Sequence, residues 1–122
     1  MANGAGKEAT GNIAENMVEE VLLRRKHQGD IAGYIRNIQN DLLDKEGIDF
    51  LIFFNNGFAL PLQVKIYNKK YWWKKLKRHR RNHPMVRYVL AVNIHDYTRD
   101  EALVFIDRFL RSAIKSAQRH PA

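Results

Sequence analysis

Three polar side chains interrupt two apolar segments in the middle of the chain. Asp49 lies within Gly-Ile-Asp-Phe-Leu, whereas Gln63 and Lys65 lie within Leu-Gln-Val-Lys-Ile. A buried charge is costly unless it is paired or coordinates a metal, so such residues indicate either a solvated sheet face or a functional site. A carboxylate, an amide oxygen and an ammonium group on one surface can hold Mg²⁺, activate a bound water and stabilise charge on a phosphodiester.

The two segments predict a β-hairpin, and its loop decides whether the three side chains meet. Strand residues alternate between faces, so Gln63 and Lys65 share one face. A two-residue turn at 56–57 would direct Asp49 away from that face. A three-residue loop at 55–57, with its last residue in the left-handed conformation, would instead place Asp49 opposite Gln63. The glycine at the third loop position favours this second register, and a metal site requires it.

The elements that must hold this hairpin follow from hydrophobic periodicity and turn signals. Their order is helix, three strands, helix, strand, helix, which is an α/β arrangement. Pro61 lacks a backbone donor and should lie at a sheet edge or a bulge. Residues 1–10 are small and polar and are expected to form a disordered tail, with residues 11–122 as a single domain. The predicted helices are 12–26, 71–82 and 99–118, and the predicted strands are 31–38, 48–54, 58–66 and 86–93.

The positive charge of the chain is concentrated in one segment. The net charge is +8, and the window from Phe50 to His95 contains no Asp or Glu. Such segregation is typical of a phosphate-binding surface, although a solvated basic helix explains it equally well. Two tryptophans in this segment could stack on bases, while packing of one into the core and of the other over its rim is the simpler interpretation. The candidate nucleic-acid-binding residues are Lys69, Lys70, Trp72, Trp73, Lys74, Lys75, Lys77, Arg78, Arg80 and Arg81.

Two histidines of the basic segment have the spacing of metal ligands on a helix. His79 and His83 are four residues apart. The Lys and Arg residues around them repel a cation, so phosphate contact or solvent exposure is expected instead. The last helix, 99–118, is apolar along one side and could form either a dimer face or part of the core.

Composition excludes several classes of function. The chain has no cysteine, which rules out disulfides, thiolate metal sites and a cysteine nucleophile. It also suits the reducing cytoplasm, where we expect the protein to act. No apolar run approaches the length of a membrane span, so no membrane association is expected.

The motif Gly-Ile-Asp, followed after about a dozen residues by Gln-Val-Lys, resembles the PD-(D/E)XK nuclease superfamily. Within it, the chain is similar to small archaeal Holliday-junction resolvases over roughly residues 11–95. The resemblance implies a restriction-endonuclease-like core: a mixed sheet of about four strands flanked by helices, in the order αβββαβα. It implies an endonuclease that uses Mg²⁺ or Mn²⁺ and acts on DNA rather than RNA, in particular on junction or branched DNA. It also implies a homodimer. The catalytic residues it implies are Asp49, Gln63, Lys65 and, on the first helix, Glu15, of which Asp49, Gln63 and Glu15 would bind the metal; Glu19 is the second choice for the helix position.

The chain departs from the superfamily pattern at Gln63, where Asp or Glu is usual. An amide oxygen can ligate a metal but brings no charge, so the metal would rely on Asp49, Glu15, a backbone carbonyl near Val64 and water. Asp44 and Glu46 are interpreted as loop charges, although either could lean towards a metal. The sequence favours an enzyme, with two alternatives left open. One is a non-catalytic nucleic-acid-binding module that keeps the nuclease fold, and the other is a basic domain that binds an acidic protein.

Overall fold

The computed structural model describes the backbone of residues 2–37 and 47–119, and the side chains of residues 12–37 and 47–119. The α/β class and the order of the elements are confirmed over these residues, with strands one to four residues shorter than predicted. The first helix begins at Ala2, ten residues before its predicted start at residue 12, so its backbone runs through residues 2–10, where a disordered tail was predicted. The elements are α1 (Ala2–His27), β1 (Gly33–Arg36), β2 (Phe50–Phe53), β3 (Ala59–Ile66), α2 (Trp72–Asn82), β4 (Tyr88–Val92) and α3 (Arg99–Arg119).

The four strands form one mixed sheet in the order β1-β2-β3-β4. β1 pairs with β2 and β2 with β3 in antiparallel fashion, whereas β3 and β4 are parallel. A parallel pair needs a crossover, which α2 provides. Pro61 pairs with Leu51 of β2, but the ladder to β4 begins only at Leu62. Pro61 therefore lies in the part of β3 that has no β4 residue beside it, which is the edge position predicted for it.

The core lies on one face of the sheet, against α1 and α3. Alternate residues of β3, namely Leu60, Leu62 and Val64, are buried there. The residues between them, including Gln63 and Lys65, therefore point to the opposite face. α3 contributes six buried side chains, so it is a core helix, and the dimer remains a prediction. None of the described helices combines the length and the apolar composition needed to cross a membrane.

Gly47, just before β2, packs closely against the ring of His83, so its replacement should lower the stability of the fold. Its φ is +75°, and an added Cβ would lie 2.6 Å from the ring of His83. We expect Gly47→Ala to lower the free energy of unfolding by about 2–3 kcal/mol, because backbone strain and a steric clash add together. Urea denaturation of the variant and the wild type measures the difference.

Two other glycines separate the causes of that loss. Gly29 has a φ of +83° but open space around it, so Gly29→Ala should cost about 1 kcal/mol through strain alone. Gly33 has neither a positive φ nor a neighbour within 4 Å, and its alanine variant should stay within about 0.5 kcal/mol of the wild type. Equal effects of all three substitutions would contradict this account.

Candidate active site

The β2–β3 hairpin has the register that a metal site requires. The Phe54 N–H donates to the Phe58 carbonyl over 2.8 Å, which closes a three-residue loop at 55–57. Gly57 ends this loop with a φ of +89°. The predicted three-residue loop is thus confirmed, because a glycine adopts the left-handed conformation at little cost.

Asp49 and Gln63 meet across this hairpin. The Gln63 Nε2 group donates to Asp49 Oδ2 over 2.8 Å, and the Val64 N–H donates to the same oxygen over 2.7 Å. The Asp49 N–H in turn donates to the Leu62 carbonyl over 2.9 Å. Hydrogen bonds to an ionised carboxylate are stronger than neutral ones, so these contacts hold Asp49 Oδ2 in place. The prediction that Asp49 lies beside Gln63 is confirmed.

Lys65 lies two residues beyond Gln63 on the same strand and face. Burial lowers the pKa of Lys65, the negative charge of Asp49 partly opposes this, and Lys75 and Arg78 lower it further. These influences show that Asp49 and two cations of α2 share the surroundings of the Lys65 ammonium. The Lys75 Nζ group also donates to the Ile66 carbonyl, over 3.5 Å. The helix α2 therefore brings positive charge to the end of β3 that carries the predicted site.

The Asp49–Gln63 pair has dimensions that fit a Mg²⁺ ion. Neighbouring oxygens of an octahedral Mg²⁺ site are about 2.9 Å apart, given metal–oxygen distances of about 2.0–2.1 Å. Asp49 Oδ2 and the Gln63 amide group are 2.8 Å apart, and a half turn of the amide exchanges its nitrogen and oxygen. The two residues can therefore supply neighbouring metal ligands.

A larger group of acidic or imidazole ligands does not surround this pair in the part of the chain that the structure describes. Within that part, no three His, Asp or Glu side chains are grouped closely enough to hold a metal. Asp44 and Glu46 lie outside the described residues. Most of the coordination would therefore come from water, as is usual for Mg²⁺.

The two glutamates of α1 that were considered as further ligands differ in their contacts. Glu19 accepts hydrogen bonds from the Tyr34 hydroxyl over 2.8 Å and from Arg36 Nη1 over 3.0 Å. Burial raises the pKa of Tyr34, and the hydrogen bond to Glu19 and the negative charge of Glu19 raise it further, to about 12. Glu19 thus binds α1 to β1. Glu15 lies one turn earlier and is half-buried, and its role as a metal ligand stays a prediction.

The basic segment presents its charge to solvent. Of the ion pairs among the described residues, none involves a Lys or Arg between positions 65 and 87. Trp72 is half-buried and packs against Tyr67 with ring centroids 5.7 Å apart, whereas Trp73 is 69% exposed. Neither tryptophan belongs to the buried core or packs against it, so the predicted packing of one into the core was wrong, and the two differ only in how far they are exposed. The exposed cations of the predicted set are Lys69, Lys70, Lys74, Lys77, Arg78, Arg80 and Arg81, while Lys75 is half-buried.

The expectation of phosphate contact or solvent exposure was wrong for His79. This side chain is only 3% exposed, and its Nε2 lies 3.0 Å from the Val86 carbonyl. The half-buried His83 lies beside it, with ring centroids 5.5 Å apart. The physical reason is that one narrow side of α2 docks on the segment before β4. The spacing of Trp72, Leu76, His79 and His83 is that of one helix face and could have revealed this, but the surrounding Lys and Arg residues obscured it.

His79 makes stability dependent on pH in a predictable direction. Burial lowers the pKa of His79 from its ordinary value of 6.5. The hydrogen bond with the Val86 carbonyl opposes this shift, and the nearby charges of Lys65, His83 and Arg80 lower the pKa further. As the pH falls, this histidine therefore takes up a proton in the unfolded chain at a higher pH than in the folded protein. The contribution of the neutral ring is complete above about pH 6.5 and is lost as the pH falls towards the lower folded-state value.

We expect His79→Gln to reduce the loss of stability on acidification. Glutamine can still donate to the Val86 carbonyl but takes up no proton. Urea unfolding at about pH 7.5 and about pH 5 should show a larger drop for the wild type than for the variant. The same drop in both proteins would mean that other groups control the acid response.

Comparison of the chain with protein-family models, with curated proteins and with solved structures finds no match. The contacts and charges of the β2–β3 hairpin and of α2 are therefore the basis on which a function can be proposed.

Proposed function

We propose that this domain is a metal-dependent endonuclease that hydrolyses phosphodiester bonds in DNA. The observation that carries the proposal is the hairpin register, in which the Asp49 carboxylate contacts the Gln63 amide over 2.8 Å. Lys65 lies next along the same face. A carboxylate, a second oxygen donor and an ammonium in this arrangement match the requirements of metal-assisted phosphodiester hydrolysis.

Each residue of the site has a distinct role in the proposed reaction. Asp49 and Gln63 would hold Mg²⁺ or Mn²⁺, with Glu15 assisting as the family resemblance implies. When bound, the ion would supply Lewis acidity towards a phosphate oxygen and towards a water. Lys65 orients the attacking water and stabilises the charge that develops on the phosphate. Its half-buried position strengthens that interaction, because the surrounding dielectric is lower than that of water.

The helix α2 supplies binding to the nucleic-acid backbone. Its cations have no carboxylate partners among the described residues, so phosphates can neutralise them and release counterions. Lys75 and Arg78 lie close enough to Lys65 to lower its pKa, and they would hold the phosphate beside the reacting one. DNA rather than RNA, a homodimer and a cytoplasmic location complete the proposal, in accordance with the resemblance and with the absence of cysteine.

A substrate panel tests this proposal. The protein is incubated with branched, duplex and single-stranded DNA and with RNA, with Mg²⁺, with Mn²⁺ or with a chelator. We expect cleavage of DNA that requires the metal and is suppressed as salt rises, because high salt weakens backbone binding. Strong binding without cleavage under any metal would refute the catalytic part. No affinity for any nucleic acid at low salt would refute the whole proposal and leave an acidic protein as the ligand.

A specific contact supports a second candidate, a nucleic-acid-binding module without catalysis. The Gln63 amide donates a hydrogen bond to Asp49, so the carboxylate is satisfied without any metal. In that case the site would stabilise the hairpin, and α2 alone would carry the function. Salt-sensitive binding that is unaffected by Mg²⁺ or Mn²⁺, with no products from any substrate, is the result expected for such a module.

A further inference from the structure

A second concave site lies beside the candidate active site, where α2 begins. It is a pocket of about 250 Å³ between the first turn of α2, the β4 strand and α3. Side chains of Tyr67, Trp72, Tyr97 and Phe105 line it, with Val92 and Asn93 from the end of β4. Its volume lies just below the range of about 300–1,000 Å³ for pockets that hold drug-sized ligands. A single planar ring system therefore suits it better than a larger molecule.

Four of the nine residues that line this pocket are aromatic, and the rest are Ala91, Val92, Asn93, Ala102 and Ile106. Tyr67 and Trp72 form one corner, with ring centroids 5.7 Å apart and planes inclined by 48°. Tyr97 and Phe105 are 50% and 57% exposed. Large apolar rings left this open around one concavity favour stacking against a ligand ring.

The pocket is aligned with the candidate active site along β3. The Tyr67 N–H donates to the Val92 carbonyl over 2.9 Å, which continues the β3–β4 ladder past Ile66. Tyr67 therefore follows Gln63 and Lys65 on the same face of the strand. With a rise of about 3.3 Å per residue, the row from Gln63 to Tyr67 spans about 13 Å. A nucleotide close to the phosphate at Lys65 can reach the pocket.

Charge and hydrogen bonding define what the pocket can accept. The exposed Lys69 and Lys70 lie between Tyr67 and Trp72 in the chain, so the rim attracts a phosphate backbone. The Asn93 side chain is engaged by the turn after β4: its Oδ1 accepts from the N–H groups of His95 and Asp96 over 3.1 and 3.0 Å. Its Nδ2 donates to the Asp96 carboxylate over 3.0 Å. The pocket thus offers stacking surfaces and little discrimination between bases.

We infer that this pocket binds an unpaired nucleobase of the strand held along α2. The inference rests on the nucleic-acid binding of the proposed function and names its substrate class, which is DNA with a single-stranded segment or a branch. A paired base cannot enter, because its ring is stacked inside the duplex. Bases of all four kinds should be accepted, because every base has a face that can stack.

Binding measurements on Phe105→Ala test this inference. Fluorescence anisotropy compares a labelled oligothymidylate of about twelve nucleotides with a duplex of the same length. Loss of the Phe105 ring should weaken oligothymidylate binding at least ~5-fold and leave duplex binding within about twofold. Val104→Ala is the matched control, because Val104 is 53% exposed on the same helix and does not line the pocket. It should change neither affinity.

A spectroscopic signal identifies the occupant directly. The chain has two tryptophans, so Trp73→Phe leaves Trp72 as the only one. Oligothymidylate should quench the emission of Trp72 in this variant, because a stacked base quenches an indole. Binding at saturation without any quenching would overturn the inference.

The other outcomes are equally decisive. Equal losses on duplex and oligothymidylate, or no loss on either, would overturn the base pocket while leaving the proposed function intact. A wild-type dimer that dissociates on Phe105→Ala, measured by sedimentation, would show a second copy of the chain on the pocket and overturn it too. A wild type that binds nucleic acid but never cleaves would refute only the endonuclease, and the affinity ratios would still support or refute the pocket.

Discussion

Asp49→Asn is expected to reduce metal-dependent cleavage at least ~100-fold while the protein remains folded. The carboxylate is the one charged oxygen ligand that the hairpin supplies, and the amide removes that charge. The asparagine oxygen can still accept the hydrogen bonds from Gln63 Nε2 and the Val64 N–H, which now reach Asp49 Oδ2 over 2.8 and 2.7 Å. Initial rates in Mg²⁺, combined with DNA affinity in a chelator, separate the loss of catalysis from any loss of binding.

The choice of asparagine over alanine matters for this test. Asp49→Ala would leave the Val64 N–H without its acceptor, at a cost of about 1–3 kcal/mol, so lost activity could reflect unfolding. Binding to DNA in a chelator should be unchanged or slightly tighter in Asp49→Asn, because a negative charge near the phosphates has been removed. Asp30→Asn makes the same chemical change at an exposed ion pair with Arg25 and should leave cleavage unaffected. Wild-type cleavage rates in Asp49→Asn would show that the hairpin is not the catalytic site.

Gln63→Glu is expected to strengthen metal binding at least ~10-fold and to make the apoprotein less stable at neutral pH. The amide now donates to Asp49 over 2.8 Å. A carboxylate in its place would repel the neighbouring one, at a cost of about 2 kcal/mol, until a cation or a proton intervenes. Thermal unfolding with a chelator and with increasing Mg²⁺ measures both effects, and we expect a larger metal-dependent rise of the melting temperature than in the wild type.

The pH dependence of the apo variant has a defined sign. Repulsion raises the folded-state pKa of the carboxylate pair above its unfolded value. Apo Gln63→Glu should therefore match the wild type most closely in acid and lose stability as the pH rises through that pKa. Gln118→Glu, on an exposed turn of α3, is the matched control and should respond to neither metal nor pH in this way. A Gln63→Glu variant that is indifferent to Mg²⁺ would contradict the metal fit.

Cleavage by the Gln63→Glu variant separates the two candidate functions. Faster metal-dependent cleavage than in the wild type would mean that the natural chain is a nuclease with a weakened metal site. Tight metal binding without cleavage of any DNA substrate would favour the binding module, in which Gln63 keeps Asp49 satisfied.

The sequence by itself determined the elements and the face on which the candidate site lies. Alternation of Leu60, Leu62 and Val64 with polar neighbours is a local pattern, and the strand period of two converts it into two faces. Glycine at position 57 closes the three-residue loop, and this local preference sets the register that brings Asp49 to Gln63. These features could be predicted because each depends on residues a few positions apart.

Only the tertiary structure decided how α2 lies against the sheet. That docking buries His79, divides the two tryptophans between packing and exposure, and brings Lys75 towards Lys65 and Ile66. It also closes the aromatic pocket with residues from α3, far along the chain. Local spacing can mark the face of α2 that carries His79, but it does not fix where that face docks, because a helix with so little apolar surface can dock in several orientations of similar energy. The contacts made with the folded sheet select one of them.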